Sequence, residues 1–146
     1  MEHIDTALEQ RVWQRVHAEE QATGLQTLAA GEQTAAAVYL MLSKMLQGPE
    51  KAILRQLFER ERSHSRWLNG IHLLQTGQRL TARAAPPEND RPEVALRKCY
   101  ARTLQAIRTY EQRQNDPEFG HVFRELTRQE QEHCRMILDI LGRTKP

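Results

Sequence analysis

The sequence predicts an all-α protein: a four-helix bundle preceded by an extra amphipathic helix. Three observations carry this. The 146 residues, 39% hydrophobic and 27% charged, suit one soluble globular core. Aromatic residues make up only 5% of the chain, and β-branched residues are few, which disfavours a sheet protein. Helix-breaking signals at Ala22-Thr23-Gly24, Gln47-Gly48-Pro49, residues 81–92, Asn115-Asp116-Pro117 and Gly142 then leave five segments rich in helix formers.

The first segment, residues 3–21, repeats apolar side chains at Ile4, Leu8, Val12 and Val16. That stripe is one helix face wide, so residues 1–22 are expected to form an accessory helix that packs on the rest or on a partner. The bundle occupies 23–146. Its first helix, 24–46, carries Leu25, Leu28, Ala35, Tyr39, Leu42 and Leu46 on one face. The second, 49–76, starts at Pro49, a residue suited to the first helical position, and carries Ile53, Leu57, Leu68 and Ile71. The third, 92–114, starts at Pro92 and carries Leu96, Tyr100, Ile107 and Tyr110. The fourth, 117–141, has Asp116 as N-cap and buries Phe119, Phe123, Leu126, Ile137 and Leu141.

Very short turns join the first helix to the second and the third to the fourth, so each pair is expected to be an antiparallel hairpin. The connection between the pairs is long enough to run the length of the bundle. Two hairpins with one long crossover is the ferritin-like arrangement.

Composition excludes several classes of function. The longest apolar run, Ala35 to Leu42, is far too short to span a bilayer. Met1 is followed by a charged amphipathic segment, not a secretory signal, and a reducing cytoplasm is expected. Cys99 and Cys134 cannot form a CxxC pair, so a zinc ribbon or rubredoxin-type iron site is excluded. The net charge of +2 comes from 17 Arg and 4 Lys interspersed with 15 Glu and 4 Asp. Without a basic block, neither nucleic acid nor a membrane surface is an expected partner.

The informative residues are polar ones at apolar positions. The second helix's stripe reads Ile53, Leu57, Glu61, His64, Leu68, and the fourth's reads Phe123, Leu126, Glu130, His133, Ile137. Each contains Glu-x-x-His, with carboxylate and imidazole one turn apart on one face. Glu32 lies between Leu28 and Ala35 on the first helix, level with Glu61 when both are counted from the turn near residue 47. Chance alone predicts roughly 0.6 Glu-x-x-His pairs in such a composition, so the motif by itself is weak. A third copy, Glu118–His121, falls off the stripe and reads as surface. Two copies on facing apolar stripes, level with Glu32, are a stronger signal. Burying three carboxylates among leucines is unfavourable by several kcal/mol each unless a cation compensates them. Mixed Glu/His ligation suits iron or manganese, with zinc also compatible.

Blander readings apply elsewhere. Cys99 and Tyr100 read as core, with Cys99 one turn from Thr103; Cys134 reads as packing; His3, His17 and His72 show no partner in the sequence.

The pattern AGEQTAAAVY … ERSH … DPEFGHVFRELTRQEQEH resembles the rubrerythrin branch of the ferritin-like di-iron proteins over residues 24–141. The resemblance implies that Glu32 is a terminal metal ligand, that Glu61 and Glu130 bridge two metals, and that His64 and His133 each serve one. Tyr39, seven residues after Glu32, matches a tyrosine that the family places behind the ligands. The two hairpins should repeat one another, and Tyr110, Glu130 and His133 do recur. However, the position seven before Tyr110 is Thr103, where the pattern calls for glutamate. The nearest carboxylates on that helix, Glu93 and Glu111, lie about 15 Å and 12 Å away along the axis.

The expected site is therefore asymmetric, with one iron held firmly and a second weakly or not at all. Thr103→Glu is expected to strengthen the second. The resemblance implies peroxide or dioxygen reduction, or ferrous oxidation. The lack of a rubredoxin module implies a separate electron-donor protein. The lack of a fifth bundle helix disfavours cage-type storage, and a homodimer is expected. The alternative is a degenerate, non-catalytic bundle serving as a structural or interaction module.

Overall fold

The computed structural model describes the backbone of residues 6–143, with the side chains of 17–23 outside the described set. Among the described residues there are four helices and no strand: α1 (Thr6–Met45), α2 (Pro49–Thr76), α3 (Pro92–Glu111) and α4 (Gly120–Arg143). None is long and apolar enough to cross a membrane.

α1 pairs with α2 and α3 with α4, while α1 also lies beside α3 and α2 beside α4. Both hairpin turns were expected from their punctuation. Gly48 (φ 68°, ψ −144°) supplies the positive-φ turn between α1 and α2, and α2 begins at Pro49. Gly77 (φ 75°) ends α2, its amide donating to the Leu73 carbonyl at 2.8 Å. Asp116 caps as expected, since its Oδ1 accepts from the Glu118 and Phe119 amides at 2.9 and 2.7 Å. It caps a turn over 117–119, however, and the α-helix proper starts at Gly120.

One element differs from expectation. The amphipathic N-terminal segment is helical, but it does not stop at Ala22-Thr23-Gly24; α1 runs unbroken through them for 40 residues. A single mid-helix glycine is unfavourable by only about 1 kcal/mol relative to alanine, which does not oblige a stop. Here the Arg113 guanidinium packs over Gly24, and a Cβ at that position would displace only the tip of that side chain. Leu8, Val12, Trp13 and Val16 are exposed on the N-terminal part of α1; Ile4 and His3 lie outside the described residues.

The apolar core is two clusters. One joins Leu42, Leu54, Leu96 and Ile140 near the α1–α2 turn. The other joins Leu25, Ile71, Tyr110 and Phe123 at the opposite end. α2 ends beside the second cluster and α3 begins beside the first, so residues 77–91 traverse the bundle. That crossover is tied along α1, where the Thr81 amide donates to Gln26 Oε1 and the Ala85 amide to Thr34 Oγ1. Near α3, Lys98 Nζ donates to Glu88 and Asp90 at 2.6 and 2.9 Å. Cys99 and Cys134 are buried free thiols. His72 does have a partner, the Gln78 carbonyl at 2.7 Å, which helps close the end of α2.

Candidate metal centre

Between the two apolar clusters lies a polar layer. Glu32, Glu61, His64, Thr103, Glu130 and His133 are all buried in it. Each reaches the layer because it replaces an apolar residue on an otherwise apolar stripe, so burying the leucines above and below drags the polar groups in with them.

The two Glu-x-x-His motifs cross over to one another. His64 Nδ1 lies 2.9 Å from Glu130 Oε1, and His133 Nδ1 lies 2.7 Å from Glu61 Oε1. The two imidazoles stack with centroids 5.2 Å apart. One ligand atom from each of Glu61, His64, Glu130 and His133 fits within 4.8 Å of the others. Glu32 borders this group from α1, with Oε2 at 3.5 Å from His64 Nδ1. All five residues singled out in the sequence thus converge.

The surroundings of the two halves differ. Tyr110 donates to Glu32 Oε1 at 2.8 Å, fixing that carboxylate. By the repeat of the hairpins, Tyr39 should do the same for a residue at 103. The Thr103 hydroxyl is instead committed to the Cys99 carbonyl at 2.8 Å. Thr103 and Cys99 both neighbour the fully buried Tyr39 hydroxyl. Thr103 thus stands beside Tyr39, and no carboxylate hydrogen-bonds the Tyr39 hydroxyl. Cys99 stands beside Tyr39, outside the Glu/His group.

The histidines differ in the same sense. His64 Nε2 lies 2.8 Å from Gln129 Oε1, and Gln129 Nε2 donates to Glu125 Oε1 at 3.0 Å, itself gripped by Arg128. Because the amide oxygen accepts, His64 carries its proton on Nε2 when neutral and turns the Nδ1 lone pair toward the carboxylates. His133 Nε2 is buried with no partner. Gln129 did not stand out in the sequence. The only clue is the requirement that a ligating imidazole anchor its other nitrogen, and the acceptor sits sideways on α4, one residue before Glu130.

Protonation shows how the layer balances its charge without an ion. Burial, then the Glu130 charge, pushes Glu32 up to about 7. Burial opposes charging His64, but its hydrogen bond to Glu130 and the Glu32 carboxylate 3.5 Å away outweigh it and carry the imidazole up to about 10. Burial likewise opposes ionising Glu130, yet hydrogen bonds from His133 and His64 hold it down at about 2. An imidazolium proton thus stands where a cation would serve better. Glu32 Oε2 and Glu61 Oε2 still have no hydrogen-bond partner. Unsatisfied buried carboxylate oxygens beside two inward Nδ1 atoms fit a pair of divalent ions, and the oxygen-rich set with one nitrogen each suits iron or manganese.

A cavity of about 380 Å³ opens between α1 and α3 and reaches this layer. Glu32, Glu61 and Glu130 line it, as do Gly31, Arg102 and Thr103.

Comparison with known proteins agrees with this geometry. A solved ferritin-like, diiron-carboxylate protein from Bacillus anthracis str. Ames superposes with a TM-score of 0.74 over 85% of this chain and 96% of that one, at 19% identity. This establishes the shared fold. No curated protein matches the sequence significantly. The Rubrerythrin family model matches residues 25–141. With four helices, a buried Glu/His layer and that match across most of its length, the chain belongs to the rubrerythrin family.

Proposed function

We propose that Glu32, Glu61, His64, Glu130 and His133 would hold two iron ions in the polar layer, with Glu61 and Glu130 serving both, and that the protein uses them for peroxide or dioxygen reduction or for ferrous oxidation. The observation carrying this is the convergence of three buried carboxylates on two imidazoles that both turn Nδ1 inward. When bound, a ferrous pair supplies the two electrons that peroxide reduction consumes. The chain's part is positional. Tyr110 holds Glu32, Gln129 orients His64, and the apolar clusters close the layer off toward both ends of the bundle. The cavity between α1 and α3 offers a small oxidant a route to the carboxylates. Manganese or zinc suits the same donors less specifically.

The two positions should be unequal. Glu32 and the anchored His64 serve one, while the other has Thr103 and a His133 without an anchor. Anaerobic Fe(II) titration of the apo-protein should give one tight and one weak site, and two equal tight sites would refute this asymmetry. Purified protein reconstituted with iron should consume peroxide when given a reductant, and Glu130→Ala should lose both metal and turnover.

A second reading, a non-catalytic structural or interaction bundle, is favoured by Thr103 alone. It requires protein that takes up no iron and gains no thermal stability from Fe(II). The proposed setting is the cytoplasm, consistent with two buried free thiols. The electron donor would be a separate protein. We also propose a homodimer through α1, where Val12 and Val16 are half exposed. An antiparallel pairing centred on Val12 would set Glu9 against Arg15 of the second copy.

A further inference from the structure

We propose that the cavity between α1 and α3 binds a monocarboxylic acid with a short apolar tail, whose carboxylate takes the ligand position that Thr103 cannot fill. The inference rests on the metal pair proposed above and adds the class of molecule that completes it.

Four observations converge. The cavity, about 380 Å³, is of small-molecule size and is bordered by Thr103 together with all three acidic side chains of the layer. Tyr39, fully buried beside Thr103 and Cys99, has no carboxylate to donate to, whereas its counterpart Tyr110 donates to Glu32. Arg102 lines the same cavity and has a buried guanidinium nitrogen, Nη1, with no hydrogen-bond partner. A partly buried cation thus borders the Thr103 side of the cavity, where α3 contributes no carboxylate to the lining. Away from the acidic layer, the walls are apolar or small, formed by Leu28, Gly31, Ala35 and Ala106. They offer a tail a surface free of charge.

Electrostatics sets the order of binding. In the ion-free layer His64 is already paired with Glu130 and His133 with Glu61, so an incoming anion meets no unpaired positive charge there. Two divalent cations against three carboxylates leave a net charge of +1, and one monocarboxylate neutralises it. The organic acid therefore binds only after the metals, and it strengthens the weaker position most.

The test uses the whole chain and reads metal binding instead of turnover. Apo-protein is titrated with Co(II) in a chloride buffer, alone and with acetate, propanoate, butanoate or butanamide, following the ligand-field absorbance of the second ion. Acetate should tighten the second ion at least about tenfold. Each added methylene should tighten it further, by about fourfold if fully buried. Butanamide should do nothing. Thr103→Glu should bind the second ion tightly without any added acid, and Arg102→Gln should blunt the response to acetate. Gly31 faces open space, so Gly31→Leu should fold, keep the acetate effect and lose the gain with chain length.

If both ions bind the wild type and the second is indifferent to every acid, the inference is overturned while the metal pair stands. An equal response to butanamide overturns it too. If Co(II) does not bind under any condition, the metal pair itself falls, and this inference with it.

Discussion

Replacing each of the two buried tyrosines by phenylalanine isolates one hydroxyl in each half of the layer. Both rings are fully buried, and phenylalanine keeps the packing, including the contact of the Tyr110 ring with Phe123 at 6.2 Å. The hydroxyls differ. Tyr110 donates to Glu32 at 2.8 Å, and at pH 8 Glu32 is mostly ionised, since burial raises it only to about 7. Removing a hydrogen bond to a buried charge destabilises by about 1.5–3 kcal/mol, a Tm loss of roughly 4–10 °C for a chain of this size. The Tyr39 hydroxyl meets only the neutral Thr103 and Cys99 side chains, so Tyr39→Phe removes no hydrogen bond to a charge and should destabilise by about 1 kcal/mol or less. Urea denaturation of the apo-proteins at pH 8 measures both. At pH 5 Glu32 is protonated, its bond to Tyr110 is neutral, and the difference between the variants should shrink. Equal losses at pH 8, or a larger loss for Tyr39→Phe, would refute the asymmetry of the layer.

Three further expectations follow from the same structure. In the apo-protein, Glu32 keeps its proton from 4.5 up to about 7 and His64 from 6.5 up to about 10. The folded state thus holds more protons than the unfolded chain through both windows, and stability falls as pH rises through them. Glu130, depressed from 4.5 to about 2, adds stability as pH rises to 4.5. Calorimetry should find the apo Tm highest near pH 5 and falling toward pH 10, whereas the gain on adding metal should grow with pH because ligands must shed protons; an apo Tm that climbs from pH 5 to 9 contradicts this. Gln129→Leu removes the acceptor for His64 and should weaken the tighter metal position by about 10–100-fold, read by Co(II) titration, with little change in fold. Gly31→Ala and Gly120→Ala should have opposite signs in thermal melts. The first faces open space within α1 and should stabilise by about 0.5–1 kcal/mol, while a Cβ at the second meets the Gln114 carbonyl oxygen and should destabilise by about 1–3 kcal/mol.

The bundle was legible because its helices are long and their apolar stripes regular, so each polar intruder stood out against a repeating background. Glu32, Glu61, His64, Glu130 and His133 were recognisable for that reason, and Thr103 was identified as the odd position by comparing one hairpin with the other. Gly24 misled because a glycine that ends a helix and one that admits a neighbouring side chain look alike until the neighbour, Arg113, is in place. The start of α4 shifted because Asp116 can cap a turn as readily as a helix. Gln129 and Arg102 were silent for a different reason. Neither lies on an apolar stripe, and each acquires its role from what a second helix brings opposite it. The cavity is likewise a property of two faces at once, since Gly31 and Ala106 are small on separate helices and only their juxtaposition leaves room.

The division of the apolar interior into two clusters bears on how such a protein changes over time. Each cluster draws side chains from all four helices, so the bundle is hooped at both ends like a cask. Between the hoops the staves meet through a few polar pairs, His64 with Glu130, His133 with Glu61 and Tyr110 with Glu32. A carboxylate there can be gained, lost or traded for threonine while the shape survives, which frees the middle of the molecule to drift in reactivity without first having to find a new fold.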